Sequence, residues 1–433
     1  MHYLILIILY ITFTSAFAKT DIWLEKALAL QREMDLNTPL NEVTFLGTHN
    51  SYNSKYYASP LTRYPDPNQS LSIYAQLDAG ARSIELDAHW TYTSGLKKDI
   101  LLCHADDSHL GCSTADRHIS EALTELRNWL KANPNEIVLL YIDRHLDGHE
   151  PRLAALLEEY LHHYIYQPSM LRDTVDHSCL ALPSQLTKAA ILKAGKQLLI
   201  IVKGCDGDDA HYEEQNKFNQ DWNDIVFAGS GDIPSKPYNF IDAKIEHFLE
   251  QSDCGKSTVF YADPDHTSLW RIFEDRTMNG NFPVRHKQLT SNDMRSLIQC
   301  GVNWPTVDML TYNDSRLNAA VWSWVPSYPK AGHGKCAILK TESGIENATC
   351  DQLKSGYACR SEYSHEIKII PMIGPWTNGE GVCQFLAGRD WHFSTPHNGA
   401  QIAKLKTSMS IWLLREIWLN YAEDNQRHWQ VIN

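Results

Sequence analysis

Six side chains in the first third of the chain have types that can do chemistry together: His49, Asn50, Glu85, Asp87, His104 and Asp143. The amide and the three carboxylates form a hard, all-oxygen set, which Ca²⁺ selects, or Mg²⁺ with more waters. The two imidazoles can move protons and stabilise developing charge near neutral pH. Each residue also has a plainer reading. A histidine after a Gly-Thr turn is an ordinary loop residue, Glu85 and Asp87 can salt-bridge inside the fold, and Asp143 can pair with Arg144 or cap a helix. What makes the set informative is position, because the six groups fall at four successive strand ends. Such a set suits phosphate chemistry.

The elements that must hold these groups are legible as alternating runs. Glu42 to Leu46 reads as a first strand, broken by Gly47 and Thr48 just before His49 and Asn50. Ala81 to Ala88 is a second, and its period of two puts Glu85 and Asp87 on one face. Ile100 to Cys103 is a third, with His104 past its end. Glu136 to Ile142 is a fourth, ending at Asp143. Further strands are expected at Gln197 to Val202 (Lys203 at the tip), Val259 to Ala262, Asn303 to Met309 and Ala319 to Val325. Helical spacing separates them at Leu71 to Ala79, Ile119 to Ala132, Pro151 to Tyr160, Ile241 to Glu250 and Ser291 to Gln299. Eight strands alternating with helices predict an α/β fold of the TIM-type (β/α)8 barrel, whose active sites lie at the C-terminal strand ends. After Pro326 the rhythm is lost and Cys336, Cys350, Cys359 and Cys383 cluster. Residues 329–433 therefore read as a small disulfide-rich C-terminal domain after a catalytic domain at 19–328.

The chain has 433 residues and a formal charge of -13. That balance argues against nucleic acid and against polybasic docking on anionic lipid. Residues 2 to 18 carry an apolar run too short to span a bilayer, followed by Ala16-Phe17-Ala18. This predicts a signal peptide cut after Ala18 and a secreted protein, although the n-region lacks Lys or Arg. Ten cysteines fit an oxidising compartment, with Cys103 and Cys112 close enough to close a small loop. His145, His149, His162 and His163 are scattered and read as surface residues. His89, just after Asp87, is placed to support the site from behind.

On these motifs the chain resembles the phosphatidylinositol-specific phospholipase C superfamily. The shared order is a His-Asn loop after the first strand, Glu-x-Asp on the second, a histidine after the third and a carboxylate after the fourth. Metal-independent bacterial members have Asp after the first histidine and an Arg near the second-strand carboxylate. Asn50 and Glu85-Leu86-Asp87 stand there instead, so the resemblance is to the Ca²⁺-dependent branch, in a secreted microbial form. Asp143 stands where eukaryotic members have Glu. The close match covers residues 42 to 143. The resemblance implies Ca²⁺ held by Asn50, Glu85, Asp87 and Asp143, with one of the carboxylates taking the proton of the inositol 2-hydroxyl. His49 would donate to the phosphoryl oxygens and His104 would protonate the leaving diacylglycerol. The products would be diacylglycerol and a cyclic inositol phosphate. The alternatives are another phosphodiesterase on the same barrel, of glycerophosphodiester or sphingomyelin type, and a non-catalytic phosphoinositide- or glycan-binding protein.

Lys203 and Trp324 are candidate headgroup contacts, Trp324 having barrel packing as its plainer role. The loop Tyr52 to Pro65 is rich in tyrosine. Tyr56 and Tyr57 are candidates to wedge into a membrane while the tail domain stays in water; the alternative is packing on the barrel rim. A monomer meeting phosphatidylinositol transiently at a membrane is the expected working state.

Overall fold

The computed structural model describes residues 22–59, 63–171, 180–183, 185–202, 220–228, 241–244, 270–275, 288–364 and 366–432. The leader and Lys203 lie outside these residues, as do Val259 to Ala262.

Runs such as Leu198–Val202 (LLIIV) are apolar on both faces, so they require cover above and below, as parallel strands in a barrel wall have. The first sheet contains β1 (Gly47–Thr48), β2 (Ser83–Tyr92), β3 (Lys98–Leu102), β4 (Arg117–His118), β5 (Val138–His145), β6 (Leu180–Ala181), β7 (Leu198–Val202), β8 (Phe227–Ala228), β9 (Ile241–Lys244), β10 (Trp270–Phe273) and β11 (Trp304–Val307). Its order is β6-β8-β7-β5-β2-β1-β11-β10-β9, with β3 on β2 and β4 on β3. Eight strands thus follow one another as β9, β10, β11, β1, β2, β5, β7 and β8, with parallel pairing in each ladder between neighbours among the described residues. This is the cyclic order of a TIM-type barrel. Leu139, Tyr141, Leu199, Ile201, Phe227 and Trp304 form one core with Phe45. The alternate residues Ile84, Leu86, Leu140, Ile142, Ile200 and Val202 belong to a second core with the helices Ile119–Ala132 and Glu150–Leu161.

Four expectations about elements are corrected. The first strand is Gly47–Thr48, with a 3-10 turn at Leu40–Glu42 before it. Gly47 is squeezed between neighbours, and a Cβ there would collide with Thr306 and crowd Trp304. The third run is not a barrel strand. β2 overshoots the wall and folds back, so Ile100 pairs antiparallel with Trp90 and Leu102 with Ala88. The intervening segment is shorter than the dozen or more residues a parallel crossover needs. Ile241–Lys244 is a strand, not the start of a helix, because its ladder with β10 overrides local spacing. Ala319 to Val325 is not the last strand. Ser315–Ala320 is a helix, and only Trp324 bridges, to Ile345.

A second sheet contains β12 (Cys336–Lys340), β13 (Ile345–Ala348), β14 (Tyr357–Ser361), β15 (Ile367–Ile370), β16 (Trp391–Phe393), β17 (Glu416–Glu423) and β18 (Trp429–Gln430). The order is β13-β12-β17-β14-β15, with β16 on β14 and β18 on β17. Disulfides join Cys336 to Cys350 and Cys359 to Cys383. One apolar cluster runs through Leu24 and Leu30 of the helix Ile22–Met34, Ile298 of the helix Ser291–Gln299, Trp324, and Leu405, Tyr421 and Trp429 of this region.

Candidate active site

His49 and Asn50 follow directly on β1. Asn50 adopts φ 44°, in the left-handed region that asparagine tolerates better than most residues. Its backbone N–H donates to Glu85 Oε2 at 3.0 Å. The His49 ring is clamped from several directions. Its Nδ1 meets Asp308 Oδ1 at 3.1 Å, just past β11. Asn68 Nδ2 donates to Asp308 Oδ2 at 3.2 Å, and Gln69 Nε2 donates to the His49 carbonyl at 2.7 Å. Burial alone would lower the His49 pKa, but Glu85 and Asp308 outweigh it and raise it to about 9. With Nδ1 on a carboxylate, Nε2 is the nitrogen left for a substrate.

Asp308 is fixed in turn. Its N–H donates to Glu274 Oε2 at 2.6 Å and its carbonyl accepts from Arg316 Nη2 at 2.8 Å. Arg316 Nη1 reaches both Glu274 oxygens at 2.9 Å. These are buried charges that satisfy one another.

Glu85 and Asp87 share one face of β2, as their spacing requires. Arg271, from β10, donates to Glu85 Oε2 at 2.5 Å and is itself 2 % exposed. Its guanidinium lies 4.7 Å from the ring centres of Tyr141 and Phe273. Asp87 accepts from the Tyr52 hydroxyl at 2.8 Å. The Asn50 amide ends 3.0 and 3.2 Å from the two Asp87 oxygens, and with its nitrogen turned that way it donates to both. Burial, then Glu85 and Asp143, push the Asp87 carboxyl well above the ordinary range. Asp143 stands opposite Asp87 in the β2–β5 ladder. It is half-exposed, with His145 Nε2 at 3.7 Å. His104 lies on the loop closed by the Cys103–Cys112 disulfide, not at a barrel-strand end. Burial and the nearby charge of His49 hold its pKa low.

Asn50 and Asp87 converge, and Asp87 is a carboxylate crowded by two others. The Arg271 contact competes for Glu85. Among the described residues, the group of three side chains close enough to share a metal is His89, Cys103 and Cys112, and its cysteines are disulfide-bonded.

The remaining expected residues divide. Tyr56 is 70 % exposed. Tyr57 is not free to wedge into a membrane. Its hydroxyl donates to Glu125 at 2.7 and 2.8 Å, and Arg117 lies 3.6 Å over its ring. Trp324 is buried against Trp429 at 4.9 Å, so it cannot stack on a headgroup. His145, read as a surface residue, stacks on buried His89 at 4.3 Å. The pattern missed Asp308, Asn68, Arg271 and Tyr52. Asp308 had a signal, since it stands next to last in the run NWPTVDM, much as Asp143 follows its own run. Arg271 had none, because its strand is four residues long.

Comparison with known proteins follows this geometry. The family model described as the Rv2075c PI-PLC-like domain matches residues 6–314. The uncharacterized protein Rv2075c of Mycobacterium tuberculosis is 27% identical over 405 residues, 88% of this chain and 77% of that protein. The PI-PLC X domain-containing protein 1 of Arthroderma benhamiae is 29% identical over 168 residues, 37% of this chain and 46% of its own. Among solved structures, the phosphatidylinositol-specific phospholipase C of Listeria monocytogenes aligns with a TM-score of 0.41 and 16% identity, over 67% of this chain and 97% of that one. The calcium-dependent enzyme of Pseudomonas sp gives 0.35 and 12%, over 64% and 95%. The chain therefore belongs to the family of the Rv2075c PI-PLC-like domain, within the PI-PLC-like phosphodiesterase superfamily.

Proposed function

We propose that the protein is a secreted phospholipase C that cleaves phosphatidylinositol-type phosphodiesters. The observation that carries this reading is one cradle at the barrel mouth. There His49 on Asp308 and the Asn50 amide, just past β11 and β1, meet Asp87 and the Glu85–Arg271 pair within β2 and β10. In the proposed step the inositol 2-hydroxyl oxygen bonds to phosphorus and its proton passes to Asp87. The bond from phosphorus to the glycerol oxygen breaks, and His104 supplies that oxygen's proton. His49 Nε2–H donates to a phosphoryl oxygen throughout. The products are diacylglycerol and a cyclic inositol phosphate.

Ca²⁺, when bound, would be held by Asn50, Glu85, Asp87 and Asp143 and would neutralise charge at the phosphate. The buried Arg271 favours a second reading, in which a guanidinium supplies that charge on its own. Release of inositol phosphate from phosphatidylinositol vesicles, with and without a strong chelator, tests both. Loss in chelator and recovery with Ca²⁺ is expected of the first, and full activity in chelator selects the second. No release under either condition, from protein that cleaves a glycerophosphodiester or sphingomyelin, would replace the substrate assignment.

A further inference from the structure

One end of the second sheet is unlike the rest of the surface. The loops 341–344, 352–355, 371–374 and 412–415 meet there. They are tied by Thr341 N–H to Arg415 O at 3.1 Å, Ser355 N–H to Glu416 O at 3.1 Å and a reciprocal Lys354–Gly374 pair at 3.1 Å. From these loops and the adjoining helix end, Leu353, Ile373, Ile411, Trp412 and Leu413 project into solvent, Leu413 being 89 % exposed. Leu413 also has φ 55°, where Gly or Asn would be less strained. A large apolar side chain, held at strained backbone in full exposure, contributes nothing to the fold that a small polar residue would not. Its reason lies outside the molecule.

Beside this tip is a hollow of about 670 Å³ lined by Lys340, Thr341, Glu342, Ser410, Leu413 and Arg415 among others. Lys340 already leans on Glu346 at 2.9 Å. Arg415 and Glu342 are exposed and form no ion pair among the described residues. The hollow therefore offers a cation and an anion at the base of an apolar tip, while the Thr341 and Ser410 hydroxyls donate to the Leu414 and Lys406 carbonyls. A zwitterionic phospholipid presents the complement, with a phosphate, an ammonium and, beneath them, an acyl layer.

We infer that this end of the second sheet docks on a bilayer, with Ile411, Trp412 and Leu413 entering the interface and the hollow receiving a zwitterionic headgroup. A Trp between apolar neighbours and an Arg is the composition that settles at that depth. Separate loop tips suit a fluid surface better than a flat protein face. The site works without net positive charge, as a chain carrying -13 requires. It deepens the lipid reading above and rests on it for where the substrate lies. It also reverses the expectation that the tail stays in water.

The test is sedimentation of the full chain with phosphatidylcholine vesicles, together with Trp412 and bulk tryptophan emission. The wild type should bind, and the double substitution Trp412→Ala with Leu413→Ser should weaken binding about tenfold or more. Arg415→Glu should weaken it without touching the apolar tip. Thermal melting and cleavage of a short-chain soluble phosphodiester should be unchanged in both variants. Failure of the wild type to bind, equal binding by the variants, or binding that needs anionic lipid and vanishes with salt would each overturn the proposal. Vesicle binding that depends on the tip, in a protein that cleaves no inositol lipid, would leave the docking surface standing and remove the substrate assignment.

Discussion

Asp308 has a disproportionate share of the candidate site's geometry. It orients His49, and it is held by Glu274, Arg316 and Asn68. Asp308→Asn keeps the shape and removes the charge, so Nδ1 loses its fixed partner. Turnover is expected to fall about a hundredfold or more with the fold intact by circular dichroism. A loss confined to substrate affinity would assign Asp308 to binding instead. The residue types near the start of the chain made half of this site visible. His49, Asn50, Glu85 and Asp87 lie close in sequence and at the tips of readable strands. Their partners Asp308 and Arg271 arrive from more than 180 residues away, as the pairings Arg271–Glu85 and His49–Asp308 show. Only the barrel's closure brings them in.

At the scale of elements, β2 decides most. It is ten residues long, and its excess over the wall becomes the hairpin to β3, with His104 two residues beyond that strand. Period-two alternation identified the strand and the shared face of its carboxylates. It could not say that the next apolar run returns antiparallel, because a short buried run looks the same in either direction. The Cys103–Cys112 link closes that returning loop over a separation of nine residues. Replacing both by Ser should cost about 2–3 kcal/mol of stability by loop entropy. If the staple also positions His104, turnover should fall more than the small change in folded population accounts for. Unchanged turnover in fully folded variant would make the link purely structural.

For the whole molecule, acid stability is tied to the base of the barrel. Glu136 accepts from Arg32 at 2.6 Å and from Arg82 at 2.8 Å, joining the first helix to the wall. Burial would raise its pKa, but the two guanidinium groups more than reverse this and lower it to about 2. The folded pKa lies below the ordinary 4.5, so the stabilisation is complete above about pH 4.5 and is lost as pH falls from there towards 2. Glu136→Gln should lower stability by about 3 kcal/mol at neutral pH and flatten that acid limb in denaturant titrations. An unchanged limb would place the acid sensitivity elsewhere.

The apolar cluster shared by the first helix and the second sheet has a consequence for how the chain is made. The Tyr421 hydroxyl donates to the Leu30 carbonyl, and Leu24, Leu30, Tyr421 and Trp429 lie in one core. Leu30 thus waits for a partner made 391 positions later. Until residues 417–429 emerge, the inner face of Ile22–Met34 lacks part of its cover, however complete the barrel between them. That core therefore closes late, once residues 417–429 are made, and until then a nascent chain is exposed to chaperones and to its neighbours.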